Sequence, residues 1–153
     1  MAKAHAKKQA GPPTISNRRA RYDYELLDTY EAGIVLEGSE VKSVLAGKAS
    51  LAGAFCRVED NELWVHEMDI APYDKASVYQ PTRDRRRKLL LHRREISLLR
   101  RRAEEKGFSI IPIRMYFKNR RVKVEIAIAR GKRQYDKRDK IEADAARREA
   151  REG

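Results

Sequence analysis

Hydrophobic and polar positions alternate along much of this chain with a period of two, so strands are expected to dominate. The cleanest case is Val122 to Arg130, where Val122, Val124, Ile126 and Ile128 share one face and Lys123 and Glu125 the other. Phe108 to Phe117 reads as the strand before it, turned by Asn119-Arg120-Arg121. Ala54 to Val58 and Leu63 to His66 make a second hairpin, joined through Glu59-Asp60-Asn61. Trp64 lies inside that apolar run and is expected in the core rather than as a stacking platform. Tyr22 to Leu36 is the first long strand, with an interruption expected near Asp28 and a bulge or bend at Gly33.

The period changes in two places. After Ile34-Val35-Leu36, the pair Gly38-Ser39 breaks the strand, and Ser39 is expected to cap a short helix beginning at Glu40. Val41, Val44 and Leu45 give that helix an apolar underside, and Gly47 stands where a C-terminal glycine ends a helix, with Lys48 exposed beyond it. The second helix is predicted after Leu89-Leu90-Leu91, with His92 as N-cap and Glu95 three residues on. Ile96, Leu99 and Ala103 form its buried stripe and Gly107 its end. Pro72 to Arg83 is rich in breakers and reads as a loop. These elements predict a mainly β protein with inserted helices: a small, closed, OB-like antiparallel barrel over 17–130. An open α+β sheet is the structural alternative.

The flanks differ in composition from the barrel. Residues 1–16 read as a flexible basic arm, since Met1 to Arg21 contains no acidic residue and Gly11-Pro12-Pro13 interrupts it. Asn17-Arg18-Arg19-Ala20-Arg21 abuts the first strand and is expected to be held against the barrel. Residues 131–153 form a basic tail in which Lys132, Arg133, Lys137, Arg138 and Lys140 surround Tyr135 and Asp136. Ile141 is the tail's single large aliphatic side chain, so the tail is expected to be mobile when free and to become helical against a polyanion, with Tyr135 available to stack on a base.

Charge turns this outline toward a partner. The chain carries a net charge of +12, with a pI near 10, which favours nucleic acid first and an anionic membrane second. The densest block is Arg83, Arg85, Arg86, Arg87 and Lys88. A single cysteine, Cys56, fits a reducing compartment, and no apolar run approaches the roughly 18–20 residues of a spanning helix, so a cytoplasmic protein is expected. No metal or cofactor is expected: His5, His66 and His92 are scattered, one cysteine cannot complete a zinc site, and no phosphate-cradling glycine loop occurs. Two rival functions remain open. Glu40-Val41-Lys42 spells the Glu-x-Lys of a metal-dependent nuclease, although that chemistry wants both residues on a strand beside a second carboxylate. A general single-stranded-RNA binder of OB type would want a row of exposed aromatics.

Several blocks taken together resemble the small protein B (SmpB) family, which binds transfer-messenger RNA (tmRNA, or SsrA RNA). They are Asn17-Arg18-Arg19-Ala20-Arg21, Tyr30-Glu31-Ala32-Gly33, Gly38-Ser39-Glu40-Val41-Lys42-Ser43 and Gly47-Lys48-Ala49. Arg87 through Glu95, Lys123-Val124-Glu125, and Gly131-Lys132 to Asp136-Lys137-Arg138 complete the set. The resemblance implies no enzyme but an RNA-binding protein, with an OB-like barrel that binds the tRNA-like domain of tmRNA at its elbow and delivers it to stalled ribosomes for trans-translation. It implies elongation factor Tu in the delivery complex, and a tail that enters the decoding centre of the small subunit. It also implies site residues: Glu31, Leu90 and Lys123 in the tmRNA-facing patch, Asn17, Arg19 and Lys48 nearby, and Arg130 and Lys132 at the root of the tail. Asp136, Lys137 and Arg138 would act on the ribosome. Tyr135 stands where some relatives carry histidine, which keeps a stacking role and removes a protonatable one.

Overall fold

In a computed structural model the described residues are 11–73 and 81–132. The chain enters through a two-residue strand, β1 (Ile15–Ser16), and a six-residue helix, α1 (Arg18–Asp23). Asn17 caps that helix, its side-chain oxygen accepting from the Ala20 N–H at 3.2 Å. Because this cap captures residues 18–23, the first long strand, β2 (Tyr24–Ile34), starts two residues later than Tyr22. Its ladder with the last strand, β9 (Arg121–Gly131), slips between Leu26 and Thr29, so the interruption expected near Asp28 is a bulge. No interruption occurs at Gly33, which is paired on both sides, to Leu90 and to Lys123.

The remaining strands close a circuit. Phe55–Glu59 (β4) and Glu62–His66 (β5) form a hairpin through Asp60 and Asn61, both at positive φ, as a type I′ turn requires. Phe108–Lys118 (β8) turns into β9 through Asn119 and Arg120, again both at positive φ, so the loop has two residues and Arg121 is already strand. Arg87–Leu90 (β7) lies between β5 and β2. Six strands thus follow one another round a barrel, β2–β9–β8–β4–β5–β7 and back to β2, all antiparallel. Closure is loose at one seam, where β4 and β8 share the single registered pair Cys56↔Ile110. Pro112, which has no N–H to give a ladder, sits at a register shift of β8. Two short strands, β3 (Ala49–Ser50) and β6 (Asp69–Ile70), pair apart from the barrel.

Val122, Val124, Ile126 and Ile128 face inward as the alternation predicts, onto Leu63, Val65, Leu89, Ile110 and Met115. A second, smaller cluster covers the outside of one end: Ala20 of α1 packs with Ile111 and Ala129 against Tyr24, Leu26 and Phe55. The outer face of β9 is therefore sheltered towards its C-terminus and open at its start, where Lys123 and Glu125 stand. Trp64 departs from expectation. Leu63 and Val65 take the inward positions of β5, so Trp64 points out, half-buried, with the Arg86 guanidinium 4.0 Å from its ring.

Helix α2 (Gly38–Leu45) begins earlier than the sequence suggests. Glu37 rather than Ser39 occupies the cap position, its N–H donating to Glu40 Oε1 at 2.9 Å. The expected C-terminal end is present: Gly47 has φ +75°, its N–H reaches Val44 O and that of Lys48 reaches Ser43 O, each at 2.9 Å. Helix α3 (Arg93–Glu104) follows His92 as predicted, with the His92 N–H donating to Glu95 at 3.2 Å. Its stripe is narrower than expected: Leu99 is buried and Ile96 half-buried, but Ala103 is exposed. The half-buried Arg102 lies over the Phe108 ring instead, at 5.0 Å.

The dense arginine block is occupied internally. Arg83 pairs with Asp69 at 2.8 Å, Arg86 with Glu59 at 2.7 Å, and Lys88 with Glu62. Arg87 takes an inward position of β7, opposite Val65, and is wholly buried. Its guanidinium reaches Glu40 Oε2 at 2.6 Å, Met68 O at 2.6 Å, Arg83 O at 2.9 Å and Arg85 O at 3.1 Å. Arg85 meets the other oxygen of Glu40 at 2.5 Å. The densest run of positive charge is thus largely a set of staples.

Candidate nucleic-acid interface

The register of four strands assembles a surface on the open end of the barrel. Gly33 of β2 lies between Leu90 of β7 and Lys123 of β9, and Lys123 lies beside Tyr116 of β8. One row along, Glu31 is opposite Glu125, which is opposite Arg114. Since side chains two apart on a strand share a face, all of these point outward together. Glu31, Leu90 and Lys123, far apart in sequence, are therefore neighbours on one bare patch. Leu90 is 49% exposed. A β-carbon added to Gly33 would come within 3.3 Å of the Leu90 β-carbon, so the glycine lets Leu90 lie across the strand. A groove of about 440 Å³ follows, floored by Gly33, Ile34 and Val122 and walled by Leu90 and Val41, with Arg120, Arg121 and Lys123 at its rim.

The carboxylates on this patch are held, not loose. Glu31 accepts a hydrogen bond from the Tyr116 hydroxyl and lies 3.2 and 3.3 Å from the Lys118 ammonium through its two oxygens. These bonds, that of Tyr116 first, keep its carboxyl below the usual carboxylate range. Tyr116 is pushed up to about 12, by partial burial and then by Glu31, so it stays a neutral donor at neutral pH. Arg114 bonds Glu125 at 2.5 Å and lies 5.3 Å from the Tyr116 ring.

The other expected site residues are dispersed. Arg130 sits opposite Glu25, bonded to it at 2.6 Å, and Lys132 follows at the end of β9. Arg130 lies seven positions along the strand from Lys123, about 23 Å at strand rise. Arg19 lies at that same sheltered end, in a cleft of about 510 Å³ that opens beside the thin β4–β8 seam. Lys48 is exposed beyond the far end of α2.

Asn17 needs correction: it is 5% exposed, and its amide donates to Pro112 O at 2.9 Å and Leu51 O at 3.2 Å while its oxygen caps α1. Its polar atoms are spent on anchoring the N-terminal segment. Asn17→Ala should lower stability by about 2–3 kcal/mol, a cap plus two buried hydrogen bonds, with RNA affinity unchanged wherever the variant is folded. Urea titration together with binding measurements checks this, and intact stability with lost affinity would return Asn17 to the interface. Tyr135, Asp136, Lys137 and Arg138 lie outside the described residues.

Tyr116, Lys118 and Arg114 were missed at the level of sequence. Their signal is the alternation of β8, Arg114-Tyr116-Lys118 against Ile113-Met115-Phe117. Reading the turn as three residues, 119–121, hides it, because a one-residue slip exchanges the faces of paired strands.

Glu40 is also placed unlike a metal ligand: it is buried on a helix with both oxygens engaged by Arg85 and Arg87. Among the described residues, no group of three His, Cys, Asp or Glu side chains could hold a metal ion. Trp64 is not an open stacking platform either, since Arg86 covers it and is itself tied to Glu59.

The comparisons with known proteins decide the family. The model of the SmpB protein family matches residues 14–153. The chain belongs to the SmpB family. It is 52% identical over 138 residues to the SsrA-binding protein of Roseiflexus sp. (strain RS-1), covering 88% of this chain and 84% of that one. With the SsrA-binding protein of Oleidesulfovibrio alaskensis it shares 49% identity over 146 residues, covering 95% and 94%. A solved chain from tmRNA-SmpB on its journey to the centre of the bacterial ribosome superposes with a TM-score of 0.67 at 49% identity, covering 78% of this chain and 84% of that chain. The barrel and its inserted helices are thus an SmpB-family scaffold.

Proposed function

We propose that this SmpB-family chain is a tmRNA-binding protein of ribosome rescue. It binds the tRNA-like domain of tmRNA and delivers it to stalled ribosomes, in the cytoplasm and in a complex with elongation factor Tu. The single observation that carries the assignment of the surface is the gathering of Glu31, Leu90 and Lys123 on the outer face of β2, β7 and β9, which among the described residues α1 does not cover. Lys123, Arg120 and Arg121 would neutralise phosphates and supply affinity that falls with salt. The apolar groove beside Leu90 suits an unstacked base of a folded RNA elbow, and Glu31, which phosphate repels, suits base amino or ribose hydroxyl donors. Arg19, Lys48, Arg130 and Lys132 lie apart from this surface and would meet other stretches of RNA. Residues 133–153, with Tyr135, Asp136, Lys137 and Arg138, would serve in the decoding centre. The reading includes no catalytic step, since both oxygens of Glu40 are engaged by arginines and unavailable to a metal ion.

Sequencing the RNA that co-purifies with the tagged protein from its own cells tests the reading, with one dominant tmRNA species expected; a broad spread of messages would favour a general RNA binder. Glu31→Arg separates recognition from charge. It adds positive charge to the patch, so binding by charge alone would tighten. We expect binding weaker by about tenfold or more, the loss of a charge-assisted hydrogen bond. Equal or tighter binding in a filter assay at physiological salt would remove Glu31 from the site.

A further inference from the structure

Glu31 is anomalous on a face meant for a polyanion, and two side chains of β8, reaching past β9, account for how it is kept there. We propose that Tyr116 and Lys118 are positioning residues that aim the Glu31 carboxylate at the RNA, acting through Glu31 and not by touching RNA themselves. The inference rests on the functional reading above. The Tyr116 hydroxyl binds one oxygen of Glu31, and the Lys118 ammonium lies 3.2 and 3.3 Å from the two. A carboxylate offers about four acceptor sites, so this clamp leaves part of that capacity for N–H or O–H donors arriving from outside. Without the clamp, Glu31 could swing toward Lys123, its neighbour on the same face, and ordering it again on binding would weaken affinity. The clamp is itself braced: Arg114 lies 5.3 Å from the Tyr116 ring and is pinned to Glu125 at 2.5 Å. Glu125, Arg114, Tyr116, Glu31 and Lys118 thus form one chain of contacts across three strands, in which cations and a phenol separate two carboxylates that the register sets opposite each other.

Tyr116→Phe removes the hydroxyl and nothing else. The probe is an in vitro transcript of the tRNA-like domain of tmRNA, bound over a range of salt concentrations. The expected result is affinity reduced about three- to tenfold, as for ordering one freed side chain again on binding, with the slope of log K against log salt unchanged. In a Glu31→Ala background the same substitution should have no further effect. Carboxyl-carbon NMR of the free protein should show Glu31 titrating at higher pH in Tyr116→Phe, which shows that the hydroxyl acts on Glu31 itself. Lys118→Met should also weaken binding without changing the slope; a slope reduced by about one would put Lys118 on a phosphate and overturn its assignment. Wild-type affinity in Tyr116→Phe, or an equal loss in the Glu31→Ala background, overturns the role of Tyr116. A wild-type chain that does not bind the transcript overturns the functional reading and this proposal with it, a result separable from the others because the Glu31 titration requires no RNA.

Discussion

Arg87→Ala should destabilise the protein by about 3–5 kcal/mol, the cost of stranding one member of a buried ion pair. Arg87 stands at an inward position of the barrel wall with no exposed surface. Its removal leaves the Glu40 carboxylate, 3% exposed, with Arg85 and the Glu37 N–H, and takes from the Met68 carbonyl its guanidinium donor. Glu40→Ala should cost a similar amount by stranding the guanidinium. The double variant should fall well short of the sum, because each single change already breaks the same unit. Acid should act on the same staple. Burial pushes the Glu40 carboxyl up, but the bonds from Arg85, the Glu37 N–H and Arg87 outweigh it and hold it below the usual carboxylate range. A depressed folded value contributes stability above the unfolded value, near 4.3, and loses it as pH falls through the folded one. Urea midpoints measured from pH 7 down to about 3 should therefore fall more steeply in the wild type than in Glu40→Gln. A loss below about 1 kcal/mol in Arg87→Ala would mean that the barrel end rehydrates and that the pair is ornamental to stability. The staple also bears on function, since α2 supplies Val41 to one wall of the groove beside Leu90.

What the sequence made legible and what it hid divide along the range of the interaction. The inward face of β9, the bulge near Asp28, the hairpin at Asp60-Asn61 and the glycine after α2 are local, written in alternation or in a residue that tolerates positive φ. The cap of α2 was misplaced by two residues because Glu37 and Glu40 satisfy each other's termini reciprocally, which outcompeted the better single cap at Ser39. The strand expected from Tyr22 gave way to α1 because Asn17 is fixed by carbonyls of Leu51 and Pro112, partners no local pattern reveals. The arginine block is the sharpest case. Its partners, Glu40, Glu59, Glu62 and Asp69, lie elsewhere in the chain and become neighbours only when the barrel closes. Charge density alone does not reveal those pairings, while the patch of Glu31, Leu90 and Lys123 carries carboxylates and a leucine. Resemblance of whole blocks located Glu31, Leu90 and Lys123; register then supplied Tyr116 and Lys118.

Cutting the chain after Lys132 should separate RNA binding from work on the ribosome. Strand β9 ends at Gly131, whose partner is Tyr24, so this cut removes no residue of the β2–β9 or β8–β9 ladders. Residues 133–153 contain Ile141 as their only large aliphatic side chain and so have almost nothing to add to a core. The shortened protein should unfold within about 1 kcal/mol of the full chain, as expected for loss of surface alone. The patch of Glu31, Leu90, Lys123, Tyr116 and Lys118 stays whole, as do Arg130 and Lys132. Affinity for the tRNA-like domain should then drop only by the phosphate contacts the lost cations make, visible as a shallower salt slope. Tagging of nascent chains on stalled ribosomes should nevertheless be abolished, because the segment proposed for the decoding centre is gone. Replacing Asp136, Lys137 and Arg138 together by alanine should reproduce that loss with length unchanged, which excludes a mere shortening effect. Tagging that survives the cut would remove the tail from the mechanism, and affinity that collapses along with tagging would mean that the barrel patch alone does not hold the RNA.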